Sequence, residues 1–403
     1  MKFIGKNWPL SKRNEIADLL FSKDFDAAGN PKGIGLSLWR INIGAGSFEQ
    51  GSDSKITSEW RREECFQDAT GKYDWTKQAG NRWFAKAAKD RGVENLLLFS
   101  ISAPVHMTKN GLASGSADAS ELGKLNLQAD KYPAYADFMA EVVKNYNQSG
   151  LPINYISPLN EPQWDWKLGT NGVASQEGTS ATNDEAFKVV KELNDKLISK
   201  NQTTKIVFGE VGTLNYAYGT VANAANRSDV FNVFWSPSSR NFLGNLPAVE
   251  KILSYHSYFG QSNVGNLLSN REKFAQRQKS INPSVLGWQS EYCILNTEDQ
   301  TQGPVRDLGI NSALYIARVL HTDLAIANVT AWQWWLAVSP SDYKDGLVYV
   351  ADNNGVMGER ENTKNDGIIL KSKMLWAVGE LCPFYSPGHD TSEYTIRKIY
   401  KYD

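Results

Sequence analysis

The chain has 403 residues, with 43 basic and 44 acidic side chains and a formal net charge of -1. A nearly neutral chain without a block of basic residues gives no reason to expect nucleic acid or an anionic membrane surface as a partner. Its length suits one (β/α)8 barrel with long loops, or two domains. It contains no apolar run of transmembrane length, so we expect no membrane insertion.

The cysteines and histidines give little support for a metal or disulfide site. Cys65, Cys293 and Cys382 are widely spaced and include no CxxC pair, which predicts free thiols. The chain has 4 histidines and no HxH or HExxH motif, which argues against a metal-dependent hydrolase. The first residues lack the apolar segment of a signal peptide, and taken alone this predicts a cytoplasmic protein.

Strand and helix patterns alternate from the N-terminal part of the chain. Residues 36–44 alternate as a strand, a long polar loop follows over 46–74, a helix is predicted over 75–91, and a second strand over 95–104. Arg40 lies near the carboxyl end of the first strand. We expect Arg40 either to form an ordinary buried ion pair or to orient and charge a catalytic glutamate.

The sharpest local signal is a third strand that ends in Asn160, Glu161 and Pro162. The proline removes the next backbone donor and stops regular pairing, which leaves a carboxylate at the carboxyl end of the strand. Barrels of alternating strands and helices keep their chemistry at that end. Trp164 and Trp166 follow in the next loop. Beside a catalytic carboxylate, we expect them to stack on a sugar rather than to fill a core.

A second predicted strand also ends in a glutamate. The strand over 285–292 is again apolar and ends at Glu291, so the two carboxylates are expected to meet at one end of the fold. The strand over 204–212 carries a third carboxylate, Glu210. We rank Glu210 lower, as a subsite acid or a structural acid, although it rivals the other two for either role.

The strand over 251–259 carries His256 and Tyr258, whose side chains should point the same way because they are two residues apart. We expect His256 to be a neutral hydrogen-bonding group and Tyr258 to donate its hydroxyl to a carboxylate.

The last elements are a helix over 308–326, a strand over 329–337 and a helix over 370–381. Seven strands alternate with helical or helix-length segments, which predicts an α/β fold, a (β/α)8 TIM barrel. A barrel of this type needs eight strands, and the missing one should precede the first helix.

Motifs along nearly the whole chain resemble glycoside hydrolase family 30, most closely its endo-β-1,6-galactanase-like branch. The matching stretches, in the family's order, are GLSLWRINIG (35–44), PVHMTKNG (104–111), SPLNEPQWDW (157–166), QEG (176–178), WQSEY (288–292) and WQWW (332–335).

The resemblance implies a retaining glycosidase that acts on a polysaccharide or oligosaccharide, with Glu161 as acid/base and Glu291 as nucleophile. No metal or organic cofactor is expected, and we expect a monomer. The resemblance also implies an extracellular or periplasmic protein. The side chains expected to support catalysis or bind substrate are Arg40, Asn160, Trp164, Trp166, His256, Tyr258 and Trp334.

Two departures from the family pattern shape our expectations. We expect the first barrel strand to be missing, so residues 1–385 are predicted to be a barrel domain that is incomplete at its N-terminus. Residues 386–403 are predicted to begin a truncated accessory β-sandwich. The alternatives left open are a β-1,6-glucanase or xylanase of the same family, and a catalytically impaired carbohydrate-binding fragment.

Overall fold

The computed structural model describes residues 1–260, 263–295 and 305–380. Within these residues seven parallel strands form one curled sheet in which each strand pairs with the next in chain order. With helices between its strands, this is the predicted TIM-barrel fold, and no eighth strand joins the sheet in the described ranges. The strands are β1 (Leu38–Asn42), β2 (Asn95–Phe99), β3 (Tyr155–Ser157), β4 (Lys205–Val211), β5 (Val249–His256), β6 (Leu286–Glu291) and β7 (Val329–Trp332).

Helices flank this sheet, and their apolar faces pack on the outside of the strands. Helix 183–199 begins with a capping box, in which Thr182 and Glu185 each bond the other's backbone amide. The described helices are α1 (Lys2–Asn7), α2 (Leu10–Phe21), α3 (Ser47–Gln50), α4 (Ala79–Asp90), α5 (Tyr132–Gln148), α6 (Asn183–Ser199), α7 (Leu214–Tyr218), α8 (Val230–Trp235), α9 (Val264–Ile281), α10 (Ile310–Ala325) and α11 (Lys373–Gly379).

Strand alternation divides the core into an outer and an inner layer. Leu96 and Leu98 of β2 belong to the large outer cluster between sheet and helices, whereas Leu97 and Phe99 belong to a small cluster inside the barrel. The Arg40 guanidinium lies 3.7 Å from the centre of the Phe99 ring. The inner cluster therefore forms an apolar floor beneath the polar groups at the carboxyl ends of the strands.

Strand β4 contains a bulge that changes which side chains face inward. Val207 points into the barrel and Phe208 points outward, but after Gly209 the next inward side chain is Glu210 and Val211 again faces outward. The register with β5 shifts here, and φ is +141° at Gly209 and +47° at Glu210. The bulge thus aims a third carboxylate at the centre of the barrel.

A second, three-stranded sheet follows the barrel strands, and the sequence analysis did not predict it. It consists of β8 (Val338–Ser339), β9 (Val348–Ala351) and β10 (Ile368–Lys371). The helix predicted over 370–381 was therefore wrong at its start, because residues 370 and 371 pair with β9. The helix begins at Lys373, where the Ser372 side chain accepts from the Leu375 amide.

Cys65 and Cys293 are both buried, and neither forms a disulfide bond with another described residue. Cys382 and the predicted domain boundary at residue 385 lie outside the described residues, as does the predicted start of a β-sandwich at 386–403. Among the described helices, none is long and apolar enough to cross a membrane.

Candidate active site

A cavity of about 1310 Å³ runs through the barrel, and its lining includes the carboxyl ends of the strands as well as residues at their amino ends, such as Asn95, Glu250 and Leu286. Of the nine side chains proposed from the sequence, eight line this cavity, and His256 is fully buried behind them. The eight are Arg40, Asn160, Glu161, Trp164, Trp166, Tyr258, Glu291 and Trp334.

Arg40 connects three polar side chains at the cavity floor. Its Nη1 donates to Oε2 of Glu291 at 2.6 Å, and its Nη2 donates to Oδ1 of Asn160 and to Oε2 of Glu210, both at 2.8 Å. The planar guanidinium suits this task because it offers several donors in fixed directions. Arg40 is therefore a buried ion-pair partner that also holds Glu291 in place.

The second oxygen of Glu291 is held by Tyr258. The Tyr258 hydroxyl donates to Oε1 of Glu291 at 3.0 Å, as the sequence predicted. Burial, together with Cys293 and Glu291, raises the pKa of Tyr258 well above its usual value, so the phenol stays a donor. Both oxygens of Glu291 are thus fixed by donors, and the carboxylate has a defined orientation.

His256 lies between the glutamates. Its Nδ1 is 3.0 Å from Oε1 of Glu161 and 3.6 Å from Oε1 of Glu291, and its Nε2 is 2.9 Å from Oε2 of Glu210. Burial opposes the charged imidazolium, but Glu291, Glu161 and Glu210 outweigh burial and raise the pKa of His256 to about 10. The ring is therefore cationic at neutral pH, in contrast to the neutral group predicted from the sequence.

Glu210 is more central than its sequence ranking suggested. Its Oε2 accepts from both Arg40 and His256, so one carboxylate balances two buried cations. Burial would raise the pKa of Glu210, but the charges of Arg40 and then His256 lower it to about 2. The strand-end position was a usable signal for Glu210. The inward direction of the Glu210 side chain could not be predicted from the sequence, because it depends on the bulge at Gly209.

The backbone holds Glu161 by an unusual conformation. Glu161 has φ of +47°, its amide donates to the Glu210 carbonyl at 2.9 Å, and its carbonyl accepts from Nε1 of Trp166 at 2.9 Å. A Cβ at Gly212 would lie 2.8 Å from Oε1 of Glu161, so this close approach requires a glycine. Backbone strain of this kind recurs at functional sites.

Glu161, His256 and Glu291 each offer an atom within 4.8 Å of the other two. In geometry alone these three could ligate a metal ion. Their donor atoms are already engaged, because Arg40 and Tyr258 bond Glu291 and because the imidazole holds a proton that a metal would have to displace. The arrangement places one cationic ring within reach of all three carboxyl groups.

Aromatic side chains form two walls of the cavity. On the Glu161 side, Trp164 packs edge-on against Tyr216 at 5.6 Å and against Phe259 at 5.8 Å between ring centres. On the Glu291 side, Trp334 stacks on Trp332 at 6.1 Å. Such flat surfaces with polar edges suit sugar rings.

The buried carboxyl group of Glu177 was given no role in the sequence analysis, although it lies within a matching motif. It accepts from the Ser47 hydroxyl at 2.6 Å and from the amides of Ala45 and Ser47. Burial raises the pKa of Glu177 to about 8. Glu177 ties the loop after β3 to the loop after β1 and so shapes the cavity wall.

Comparisons with known proteins indicate a family for the chain. The family model described as O-Glycosyl hydrolase family 30 matches residues 1–349. A solved structure named as a conserved exported protein from Bacteroides fragilis is 35% identical, covers 96% of this chain and 77% of its own, and superposes with a TM-score of 0.87.

More distant structures share the fold. The catalytic domain of xylanase C from Talaromyces cellulolyticus is 18% identical over 94% of this chain and 72% of its own, with a TM-score of 0.59. The endo-β-1,6-glucanase BT3312 is 16% identical over 94% of this chain and 74% of its own, with a TM-score of 0.63. At these identities the similarity concerns the fold alone.

Proposed function

Because the chain belongs to O-glycosyl hydrolase family 30, and is therefore a glycoside hydrolase, we propose that it is a retaining endo-β-1,6-galactanase. Glu291 is the nucleophile and Glu161 is the general acid and base. The spacing of these two groups carries the proposal, since carboxylate oxygens of the pair lie within 4.8 Å of each other. Retaining enzymes hold their carboxyl groups roughly 5–5.5 Å apart, whereas inverting enzymes need a wider gap for a water molecule.

In the first step Glu291 attacks the anomeric carbon and the glycosidic bond to the leaving oxygen breaks. Arg40 and Tyr258 each hold one oxygen of Glu291, which fixes the orientation of the carboxylate for the attack. Arg40 also pairs with Glu210, so its positive charge does not act on Glu291 alone and weakens the nucleophile less.

In the same step the leaving oxygen takes a proton from Glu161. Nδ1 of His256 faces Oε1 of Glu161, which leaves Oε2 to carry the proton that is transferred. When that proton leaves, the imidazolium stabilises the new carboxylate. Glu210 holds the ring in this orientation through Nε2.

In the second step water replaces the leaving group. The Glu161 carboxylate takes a proton from the water, whose oxygen bonds to the anomeric carbon as the bond to Glu291 breaks. The product keeps its β configuration, and both glutamates return to their starting states. Arg40 fixes Asn160 through its Oδ1, which leaves the amide NH₂ group as the donor expected to bond the 2-hydroxyl of the sugar.

The substrate assignment rests on the likeness of the motif around Trp164 and Trp166 to the endo-β-1,6-galactanase-like branch. Relatives of the same fold are named a xylanase and an endo-β-1,6-glucanase, so xylan and β-1,6-glucan are the competing polymers. An intact network of two glutamates, Arg40 and His256 argues against a binding protein that has lost catalysis.

We also infer that the protein works outside the cytoplasm. The 35% identical Bacteroides fragilis protein is named as exported, and polymeric glycans are too large to enter a cell intact. Fractionation of the source cells, with immunodetection of this chain, tests this inference.

The test of the proposed function is product release from three polymers. The purified chain is incubated with β-1,6-galactan, β-1,6-glucan and xylan, and soluble oligosaccharides are separated by chromatography. The proposal expects a ladder of short galactan products. Release from glucan or xylan instead would keep the glycosidase and change its substrate, and no release from any polymer would contradict the proposal.

A further inference from the structure

A buried ion pair lies on the outer side of the barrel sheet, behind the site. Asp323 of α10 and Arg271 of α9 are both fully buried, and Nε of Arg271 donates to Oδ1 of Asp323 at 2.8 Å. Neither residue lines the cavity, and neither has a role in the chemistry described above. Replacing such a pair by well-packed apolar side chains is often neutral or stabilising, so stability alone does not account for it.

The Asp323 carboxylate collects donors from two barrel strands as well as from α9. Its Oδ1 accepts from the Tyr255 hydroxyl at 2.9 Å. Its Oδ2 accepts from the Ser257 hydroxyl at 2.9 Å and from Nε1 of Trp332 at 3.0 Å. Nη2 of Arg271 also donates to the Ser257 hydroxyl, at 3.0 Å. Both carboxylate oxygens are thus satisfied by two donors each, which fixes these groups relative to one another.

The two residues that Asp323 holds at the end of β5 are the chain neighbours of His256. The His256 ring points into the site, where it faces Glu161 and Glu210. Because side chains alternate along a strand, Tyr255 and Ser257 point outward instead, toward Asp323. Asp323 therefore holds this strand end from the outside.

The side chain of Glu291 reaches the site because β6 contains a bulge beside this strand end. Trp288 belongs to the inner cluster, so strict alternation would point Ser290 inward and Glu291 outward. The register of β5 with β6 shifts between Tyr255 and His256, which leaves Ser290 as the extra residue of β6. The direction of Glu291 thus depends on this bulge being held in place.

The residues that Asp323 holds are also the ones that hold the bulge. The Ser290 hydroxyl donates to the Tyr255 carbonyl at 3.3 Å, and the Ser257 amide donates to the Glu291 carbonyl at 3.1 Å. A short chain of hydrogen bonds therefore runs from Asp323 through Ser257 to the backbone of Glu291. A displacement of reacting groups by about 1 Å can cost roughly 100-fold in rate, so this backbone contact matters for the attack.

We propose that Asp323, paired with Arg271, is a positioning residue that holds the β6 bulge through Ser257 and so aims the Glu291 carboxylate at the anomeric carbon. The inference rests on the proposed function, because it concerns the aim of the proposed nucleophile. Asp323 itself contacts no substrate. Donors within the cavity fix the two oxygens of Glu291, whereas Asp323 fixes its backbone from the other side of the sheet.

The test breaks the link and leaves the ion pair in place. Asp323→Asn would leave the Arg271 charge buried without a counter-charge and is expected to destabilise the fold strongly. Ser257→Ala instead deletes only the hydroxyl that joins Asp323 to the Glu291 backbone. The matched control is Thr204→Val, which deletes a buried hydroxyl that donates to a backbone carbonyl at 2.7 Å, beside the amino end of β4.

Two measurements are made on the full chain. The first is hydrogen exchange of the residue 257 amide, followed by mass spectrometry and corrected for the intrinsic rate of each side chain. This amide donates to the Glu291 carbonyl, so its exchange reports the link without any need for activity. The second is kcat and KM for whichever of the three polymers the wild type hydrolyses, measured well below the melting temperature of each variant.

Ser257→Ala is expected to speed exchange of that amide roughly 10-fold or more and to lower kcat by roughly 10–100-fold, with KM within about 2-fold of wild type. Thr204→Val should change none of these, although its melting temperature should fall by a similar amount. A merely structural role of Asp323 would lower both melting temperatures and leave kcat as in the control. That result, or an unchanged exchange rate in Ser257→Ala, would overturn the positioning role.

The wild-type chain separates this inference from the proposed function. If it releases no product from any polymer, the proposed function fails, and the exchange rates alone decide whether Asp323 holds the Glu291 backbone. If the wild type is active and Ser257→Ala matches it in kcat, the enzyme stands and the positioning role is removed.

Discussion

Oε2 of Glu210 lies 2.9 Å from Nε2 of His256, and the same oxygen accepts from Arg40 at 2.8 Å. This one carboxylate therefore links the group that faces Glu161 to the group that faces Glu291. Two buried cations and three carboxyl groups form a single electrostatic unit, so a change in any member is expected to affect the others.

Replacing the proposed nucleophile should abolish turnover. Glu291→Ala is expected to lower hydrolysis of galactan by roughly 10⁴-fold or more, because the variant lacks the carboxylate proposed to form the glycosyl intermediate. Azide can enter the space left by the side chain and should restore some turnover, giving a glycosyl azide of inverted configuration, identified by NMR. The control is Glu250→Ala, which removes a glutamate near the amino end of β5. A fully active Glu291→Ala chain would contradict the assignment of Glu291 as the nucleophile.

The rate lost on replacing the proposed acid should depend on the leaving group of the substrate. Glu161→Gln is expected to slow hydrolysis of galactan by roughly 10²–10⁴-fold, since general acid catalysis contributes that much. An aryl β-1,6-galactobioside with a very acidic phenol needs no proton, so its first step should be nearly unaffected. Burst kinetics of phenol release measure this difference. Equal losses with both substrates would mean that Glu161 is not the acid.

The charge of His256 should make stability depend on pH. The pKa of His256 is raised from 6.5 to about 10 in the folded protein, so its contribution is complete below pH 6.5 and is lost as pH rises toward 10. The full effect corresponds to roughly 4–5 kcal/mol in the free energy of unfolding. Urea unfolding of wild type and His256→Asn at pH 6, 8 and 10 measures it. The wild type should lose more stability than the variant between pH 6 and pH 10. Equal losses in the two proteins would contradict a positively charged His256.

The bulge in β4 should require glycine at position 209. A Cβ at Gly209 would lie 2.3 Å from the Ser254 carbonyl oxygen, and φ there is +141°. Gly209→Ala is therefore expected to destabilise the fold by more than about 2 kcal/mol and to reduce activity by moving Glu210. Gly71 also has positive φ, but its Cβ would meet nothing within 4 Å.

The control for the bulge is therefore Gly71→Ala, which is expected to cost about 1 kcal/mol or less and to leave activity unchanged. Thermal melts and galactan hydrolysis of both variants provide the comparison. Similar effects of the two substitutions would show that the bulge does not set the site.

Local patterns were sufficient to predict the barrel and much of the site. Apolar strands ending at Glu161 and Glu291 put both glutamates at one edge, and residue alternation put His256 and Tyr258 on one side of the strand predicted over 251–259, although β5 itself ends at His256. When seven parallel strands pair in chain order and the sheet curls, the side chains at their carboxyl ends come together. The roles assigned to these residues stay predictions until the variants are measured.

Other features depend on contacts that the sequence pattern does not contain. Glu210 turns inward only because Gly209 breaks the alternation of β4. The charge of His256 depends on three carboxylates that come from three different strands or loops. The small sheet was missed because Val338–Ser339 is too short to show a period, and because β10 pairs with a strand rather than continuing a helix.

The most direct test of the account is the configuration of the first product of galactan hydrolysis, followed by ¹H NMR before mutarotation. If Glu291 is the nucleophile and Glu161 the acid and base, the β-anomer of the new reducing end appears first and the α-anomer grows in later. An α-anomer that appears first would require direct attack by water and would contradict the two-step mechanism.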